Sequence, residues 1–484
     1  MRDRSLAALS RPEGFDLAVV GGGATGLAVA LLAASAGRSV ALIEAHDFAS
    51  GTSSRSTKLL HGGVRYLAQG EISLVREALQ QRSTLIRLAP DLARPLRFVM
   101  PAYRWWERLF YGVGLTAYDW LAGAASLGRT AQLSLAATRS RYPSLQSSGL
   151  RGAVSYCDAQ FDDAGLAIAM ARGAAHAGAL VLNRVQARQV TRMPDGDLAI
   201  DFIDRDSGAC GQLRARDAVN ATGVWVDRLR SAPAIVQPSQ GVHIVVDRRF
   251  FPSDEALLLP RTADGRVLFV VPWLHHCVIG TTDTPRDLAG VEPGAEPLPF
   301  SSEIDLILAE VSRVLSPSPT RRDILSVWAG LRPLVKPHAA SASATHRISR
   351  EHSIEVESNG LVTVTGGKWT TCLVMATDTL SALPNHPFQA KLADTVVLPS
   401  GLPDIAHRSP TEQEVVWLAN HTWARTVEDV LARRSRLLFL NVDAALEAAP
   451  AVARALEQHT GRDADLEGFI QNATAWKESF KAAD

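Results

Sequence analysis

Asp16-Leu-Ala-Val-Val20 is a short run, apolar after its first residue and partly β-branched, the pattern of a strand buried on both faces. It opens into Gly21-Gly-Gly-Ala-Thr-Gly26, and Leu27 to Ala36 then has the small-residue composition of a buried helix. Gly37 and Arg38 end that helix, and Ser39-Val-Ala-Leu-Ile43 reads as a second buried strand closing on Glu44. Leu17 to Ala36 is the most apolar stretch of the chain, but its glycines break it into strand, turn and helix, and no other segment reaches spanning length. Far along the chain, Thr411 and Glu414 form a capping-box pattern. Val415, Leu418, Ala419, Trp423, Val427, Val430 and Leu431 follow as one helical apolar face. A length of 484 residues suggests two or three structural units.

Strand, GxGxxG, helix, strand and acid in that order predict a dinucleotide site. Gly21 permits the tight turn, Gly23 lets a pyrophosphate approach the backbone, and Gly26 lets helix and strand pack closely. The helix start offers unpaired amides and a partial positive charge to the phosphates. Glu44 is spaced to bond ribose hydroxyls and to reject the extra phosphate of NADP. This motif does not separate NAD from FAD. The next segment does, because Ser50 to Tyr66 is a long loop of hydroxyls, glycines and cations, suited to wrapping a flavin diphosphate and ring, where an NAD enzyme proceeds to another crossover helix. Asn220-Ala-Thr-Gly-Val-Trp225 follows an apolar strand end and reads as a second glycine turn against the same cofactor.

Composition narrows the chemistry. Lys plus Arg and Asp plus Glu both number 50, so no global field draws the chain to nucleic acid, and anion binding must come from local clusters. The cysteines Cys157, Cys210, Cys277 and Cys372 are far apart and form no CxxC pair, which argues against a disulfide framework or a zinc site and fits a cytosolic location. No metal is expected. The opening MRDRSLAALSRPEG lacks the apolar core of a secretory signal. Tyr103-Arg-Trp-Trp-Glu-Arg-Leu-Phe-Tyr111 sets five aromatics among basic residues, and composition alone divides evenly between a headgroup-level membrane anchor and an aromatic domain edge.

Five ordered blocks resemble the FAD-dependent glycerol-3-phosphate dehydrogenases, nearer the mitochondrial-type branch than the enterobacterial one. They are Ser50 to Leu67, Gln237 to Val246, Gly280-Thr-Thr-Asp-Thr-Pro285, Trp328-Ala-Gly-Leu-Arg-Pro-Leu-Val335 and Gly366-Gly-Lys-Trp-Thr-Thr371. The resemblance implies an α/β fold, with a Rossmann-type FAD-binding domain (14–85, 160–236 and 350–390) interleaved with an antiparallel-sheet substrate domain (86–159 and 237–349). A shortened helical C-terminal domain (404–484) follows. It also implies oxidation of sn-glycerol 3-phosphate at C2, with FAD as cofactor and a membrane quinone as acceptor, on the inner face of the cytoplasmic membrane. A homodimer is the family's assembly.

The same resemblance assigns residues. Gly21, Gly23, Ala24, Thr25, Gly26 and Glu44 hold the cofactor's nucleotide half, with Thr52, Ser53, Ser54, Ser56, Lys58, Leu60, His61, Gly62 and Gly63 along the following loop. Ala221, Thr222, Gly223 and Trp225, then Gly367, Lys368 and Thr370, complete the set. Arg65, Tyr66, His243, Arg332 and Lys368 gather at the substrate, the cations matching its phosphate. His243 is the candidate base and His61 the reserve, although the strand context of His243 alone favours a core histidine. Two features depart from the family. Cys372-Leu373 stands where tyrosine and arginine are usual, which predicts a lost polar contact or charge beside the flavin. After Pro399-Ser-Gly-Leu-Pro403 only a short linker leads to Thr411, a shortening that bears on dimerisation. The competing readings are an oxidase that uses oxygen on the same substrate, an amine or amino-acid oxidase, and a flavin-binding remnant.

Overall fold

The structure is a computed structural model that describes residues 2–67, 70–262, 265–292, 294–336, 352–392, 396, 398 and 401–481, the side chains of Arg65 and Tyr66 excepted. Two sheets organise it. The first runs in the order His352–Val356, Leu361–Gly366, Cys210–Asn220, Phe15–Val20, Val40–Ile43 and Leu180–Leu182. Its central pairs are parallel, which buries their strands on both faces and explains why Phe15–Val20 and Val40–Ile43 read as continuous apolar runs. The helix Ala24–Ser35 packs on this sheet; it begins within the glycine turn, three residues earlier than the apolar pattern suggested. Gly23 is its N-cap, in extended backbone.

The second sheet is mostly antiparallel and takes its strands from the stretches between. Val236–Asp247 lies along Ile324–Val335 and beside His276–Gly280, with His243 opposite Trp328 on one strand and Gly280 on the other. Ala93–Ala102, Gly152–Phe161 and the short Leu59–Leu60 continue it, so the polar loop from Ser50 links one sheet to the other. This interleaving matches the α/β fold expected.

The C-terminal region is helical, with Glu412–His421, Val442–Thr460 and Leu466–Lys481 as its longer elements. The capping box holds: Glu414 N–H donates to Thr411 Oγ1 at 3.4 Å, and Thr411 N–H donates to the Glu414 carboxylate at 2.7 Å. The single helical face expected from Val415 to Leu431 is divided. Glu412–His421 ends before Trp423, which takes a φ of 57°, and Val430 and Leu431 belong to a separate π-helical turn, Asp429–Arg434. Tertiary contacts decide the break, because Trp423 packs edge-on against Phe48 at 5.3 Å and its carbonyl accepts from Asn183 Nδ2 at 2.8 Å. Among the described residues no helix is long and apolar enough to cross a membrane.

Candidate functional site

A cleft of about 690 Å³ opens where the glycine turn, the Ser50 loop, the second sheet and the C-terminal helices meet. Its floor is backbone. Gly21 has a φ of 111° and lies against Ala221, whose carbonyl oxygen would sit 2.5 Å from a Cβ there. A Cβ on Gly26 would approach Gly21 O to 2.0 Å, so only glycine lets the helix pack this closely on the turn. On Gly23 a Cβ would meet only Ser53 Oγ, at 3.1 Å, which leaves bare backbone facing the cleft beside the helix start. Ala24 N–H donates to Ser53 Oγ at 2.9 Å. Glu44 accepts from Gly22 N–H at 2.6 Å and His46 N–H at 2.8 Å; its burial raises its pKa against those two bonds. A backbone cradle at a helix start, with an acid beyond it, fits a dinucleotide diphosphate and ribose.

Of the residues singled out in sequence, Gly21, Gly23, Ala24, Thr25, Glu44, Thr52, Ser53, Ala221, Thr222, Gly223, Trp225, Gly367 and Lys368 line this one cleft. Others lie behind it. Ser54, Leu60, Gly62 and Thr370 are buried, and Gly62 N–H donates to Tyr118 Oη at 2.8 Å. Gly63 is buried beside the half-buried His61. Ser56 bonds Asp163, and Lys58 turns inward, its ammonium 2.7 Å from Asp163 and 2.6 Å from Ser54 O. Burial and the neighbouring Arg436 bring the Lys58 pKa down to about 7, against the pull of Asp163. The side chains of Arg65 and Tyr66 fall outside the described residues.

His243 and Arg332 share one face of the second sheet. Side chains alternate along a strand, so Ser239, Gly241 and His243 point the same way, opposite Arg332, Gly330 and Trp328 respectively. The two glycines put no side chain between them, and the Arg55 backbone packs over Gly330. Arg332 reaches back over Gly241, so that a Cβ there would stand 2.3 Å from the guanidinium. His243 is 3% exposed, stacks on Trp328 at 5.1 Å and shares a 2.9 Å hydrogen bond between Nε2 and Thr57 Oγ1. Burial first, then Lys58 and Arg332, press its pKa well below 6.5 and keep the ring neutral.

Cys372 and Leu373 are buried in the core that includes the helix Ala24–Ser35 and do not line the cleft. The departure there changes core side chains, while Lys368, Trp369 and Met375 from the same region do reach the cleft.

Sequence reasoning missed the C-terminal contribution: Thr426, Glu428, Arg433 and Asn472 also line the cleft. Arg433 bridges Asp47 at 2.5 Å, Glu428 at 2.6 Å and Asp429 at 2.6 Å. Arg434 also pairs with Asp47, and Arg436 with Asp163 at 2.8 Å. Burial would raise the Asp47 carboxyl, but Arg434 and Arg433 hold it at about 2. The available signal was the run Ala432-Arg-Arg-Ser-Arg436 set against Leu437-Leu-Phe-Leu440, because cations inside an apolar stretch demand buried partners. Arg55, also missed, clasps Glu296 through two 2.6 Å bonds, holding the Gly294–Pro297 stretch along the cleft.

A family model described as FAD dependent oxidoreductase matches residues 16–378, more than half of the chain. One described as the C-terminal domain of alpha-glycerophosphate oxidase matches residues 399–466. The mitochondrial glycerol-3-phosphate dehydrogenase of Homo sapiens is 36% identical over 96% of this chain and 73% of its own. Glycerol-3-phosphate dehydrogenase 2 of Mycobacterium bovis is 44% identical over 76% of this chain and 63% of its own. The solved glycerol-3-phosphate dehydrogenase from Bacillus halodurans, complexed with FAD, matches with a TM-score of 0.73 at 25% identity, over 99% of this chain and 97% of that one. The L-alpha-glycerophosphate oxidase from Mycoplasma pneumoniae shares the fold, with a TM-score of 0.61 at 17% identity over 80% of this chain and 98% of that one. With the glycine cradle, the acid beyond it and the interleaved sheets, these matches show that the chain belongs to the FAD-dependent glycerol-3-phosphate dehydrogenase family and takes FAD as its cofactor.

Proposed function

We propose that this enzyme oxidises sn-glycerol 3-phosphate to dihydroxyacetone phosphate and delivers the electrons to a membrane quinone. What carries the reading is the Arg332 guanidinium and the His243 imidazole set on one face of the second sheet beside the cleft, with only Gly241 and Gly330 between their positions. A small dianion needs a rigid planar cation, and Arg332, in Gly330-Leu-Arg-Pro333, is held by hydrogen bonds to Thr281 and Thr282. The reacting carbinol needs a proton acceptor, and a neutral, immobilised imidazole on the same face supplies one. The residues lining the cleft would hold FAD, which would supply the acceptor for the C2 hydride. Lys368 precedes the turn Trp369–Thr371, where its ammonium and the turn's amides favour negative charge on an adjacent ring. Gly21, Gly23, Ala24, Thr25 and Glu44 hold the nucleotide half.

An exposed apolar stripe on the helix Glu107–Ala122 supports a monotopic contact with the inner face of the cytoplasmic membrane, within reach of quinone. The test is anaerobic addition of sn-glycerol 3-phosphate to the purified yellow protein. Rapid bleaching of the flavin absorbance, absent with glycerol or amino acids, is expected; a folded protein that stays yellow would overturn the reading. Reoxidation by a soluble quinone analogue without peroxide is expected next, and stoichiometric peroxide in air would make the enzyme an oxidase.

A further inference from the structure

The block Gly280-Thr-Thr-Asp-Thr-Pro285 contributes no residue to the cofactor cleft, yet it surrounds the arginine assigned to the phosphate. Arg332 Nη2 donates to Thr282 O at 2.9 Å and to Thr281 Oγ1 at 3.1 Å, and Nη1 faces Asp283 Oδ1 at 3.4 Å. Asp283 is buried and in turn accepts from Ser239 Oγ, on the strand directly opposite Arg332. We propose that the Thr281–Asp283 segment aims Arg332, with Asp283 as a positioning residue for the phosphate subsite. The inference rests on the reading of Arg332 as the phosphate ligand.

Three observations support it. The segment is itself pinned from behind: Thr282 and Thr284 donate through Oγ1 to the buried Glu303 at 2.8 and 2.7 Å, and Val242 N–H donates to Thr282 Oγ1 at 2.9 Å. The carbonyl that receives the guanidinium therefore does not drift. Next, Gly241 leaves the seat open, since a Cβ would stand 2.3 Å from Arg332 Nη2 and 2.6 Å from Thr281 Oγ1. Last, a carboxylate beside an arginine weakens the attraction for a dianion, so its presence makes sense as orientation and not as field. An arginine ordered on folding does not lose that freedom again on binding, and its fork meets the phosphate already aligned.

The experiment measures, for each variant, flavin content, thermal midpoint, and the sn-glycerol 3-phosphate concentration giving half-maximal anaerobic flavin reduction. Arg332→Ala is the reference, and a half-saturation unchanged there would sink the phosphate reading itself. With that reading intact, Asp283→Ala should raise half-saturation about ten-fold or more at normal flavin content, and Asp283→Asn, which keeps the acceptor oxygen, should stay within about three-fold of the parent. Asp283→Ala added to Arg332→Ala should change nothing further, because a residue acting through Arg332 has nothing left to aim. Half-saturation within about two-fold of the parent for Asp283→Ala, or an equal further loss in the Arg332→Ala background, would overturn the inference. Should Asp283→Ala fail to fold, Gly241→Ala decides. It displaces the guanidinium with Asp283 intact and should raise half-saturation comparably, and an unchanged value refutes the aiming device.

Discussion

His243 is a histidine that its burial and two nearby cations keep uncharged. Burial removes its water, and Lys58 and Arg332 add two positive fields, so its pKa lies well below 6.5. A base with a depressed pKa is competent above that pKa and loses function only as pH falls through it. The limiting rate of flavin reduction at saturating substrate should therefore show no loss centred on 6.5 as pH falls from about 8 to about 6, because Lys58, gaining charge below about 7, only pushes the His243 pKa further down. A half-height near 6.5 would remove His243 from the role of base. His243→Asn should lower that rate by about 10²- to 10⁴-fold while flavin stays bound, and an unchanged rate would remove His243 from the chemistry. The sequence made His243 visible only through the block around it, because its Thr57 bond spans 186 residues and its Trp328 stack joins two distant strands. Gly21, Gly23, Gly26 and Glu44 were legible without help, since their geometry is local to one strand, turn and helix.

The π-helical turn Asp429–Arg434 is the element that fastens the C-terminal helices to the nucleotide end of the molecule. Its two arginines are 2% exposed and converge on Asp47, so the joint is a desolvated ion cluster with its carboxyl held at about 2 instead of 3.8. Because the folded pKa is the lower one, the stabilisation is complete above the unfolded value and is lost as pH falls from about 4 towards about 2. Asp47→Ala leaves two buried guanidiniums short of a partner, which costs about 3–5 kcal/mol. Its thermal midpoint should fall by several degrees and its flavin should leave on dilution; an unchanged midpoint at pH 7 would show that Glu428 and Asp429 suffice. Locally the sequence signals only that cations beside Leu437-Leu-Phe-Leu440 need buried partners, not which ones. The partners of the basic run lie far upstream at Asp47, and the break at Trp423 that precedes the turn involves Phe48 and Asn183, hundreds of residues upstream.

At the scale of the whole molecule, the outstanding feature is an apolar surface without a protein partner among the described residues. The helix Glu107–Ala122 buries Leu115, Tyr118 and Ala122 inward while Leu109, Phe110, Val113 and Trp120 face out, with Trp105 and Trp106 just before it. Trp105 is 85% and Trp120 83% exposed. A helix apolar on two faces needs a second apolar medium. The aromatic cluster was visible in sequence, but its extension to Val113 and Trp120 depends on which face the sheet covers, and Tyr103 and Tyr111 turn out to pack partly against the core. Such a surface, rimmed by Arg104, fits the headgroup boundary of a bilayer, which takes indole rings and aliphatic tips at one depth and guanidiniums at another. Each large side chain transferred from water is worth about 1.5–3 kcal/mol, so replacing Trp105, Phe110 and Trp120 together with serine should weaken vesicle partitioning about a thousand-fold or more. Flavin reduction by sn-glycerol 3-phosphate should be untouched, since the stripe lines no part of the cleft. Turnover with a quinone embedded in the same vesicles should collapse, while turnover with a soluble quinone analogue persists. That split separates a membrane platform from a dimer face, because a dimer face would leave partitioning intact and change the sedimentation coefficient instead.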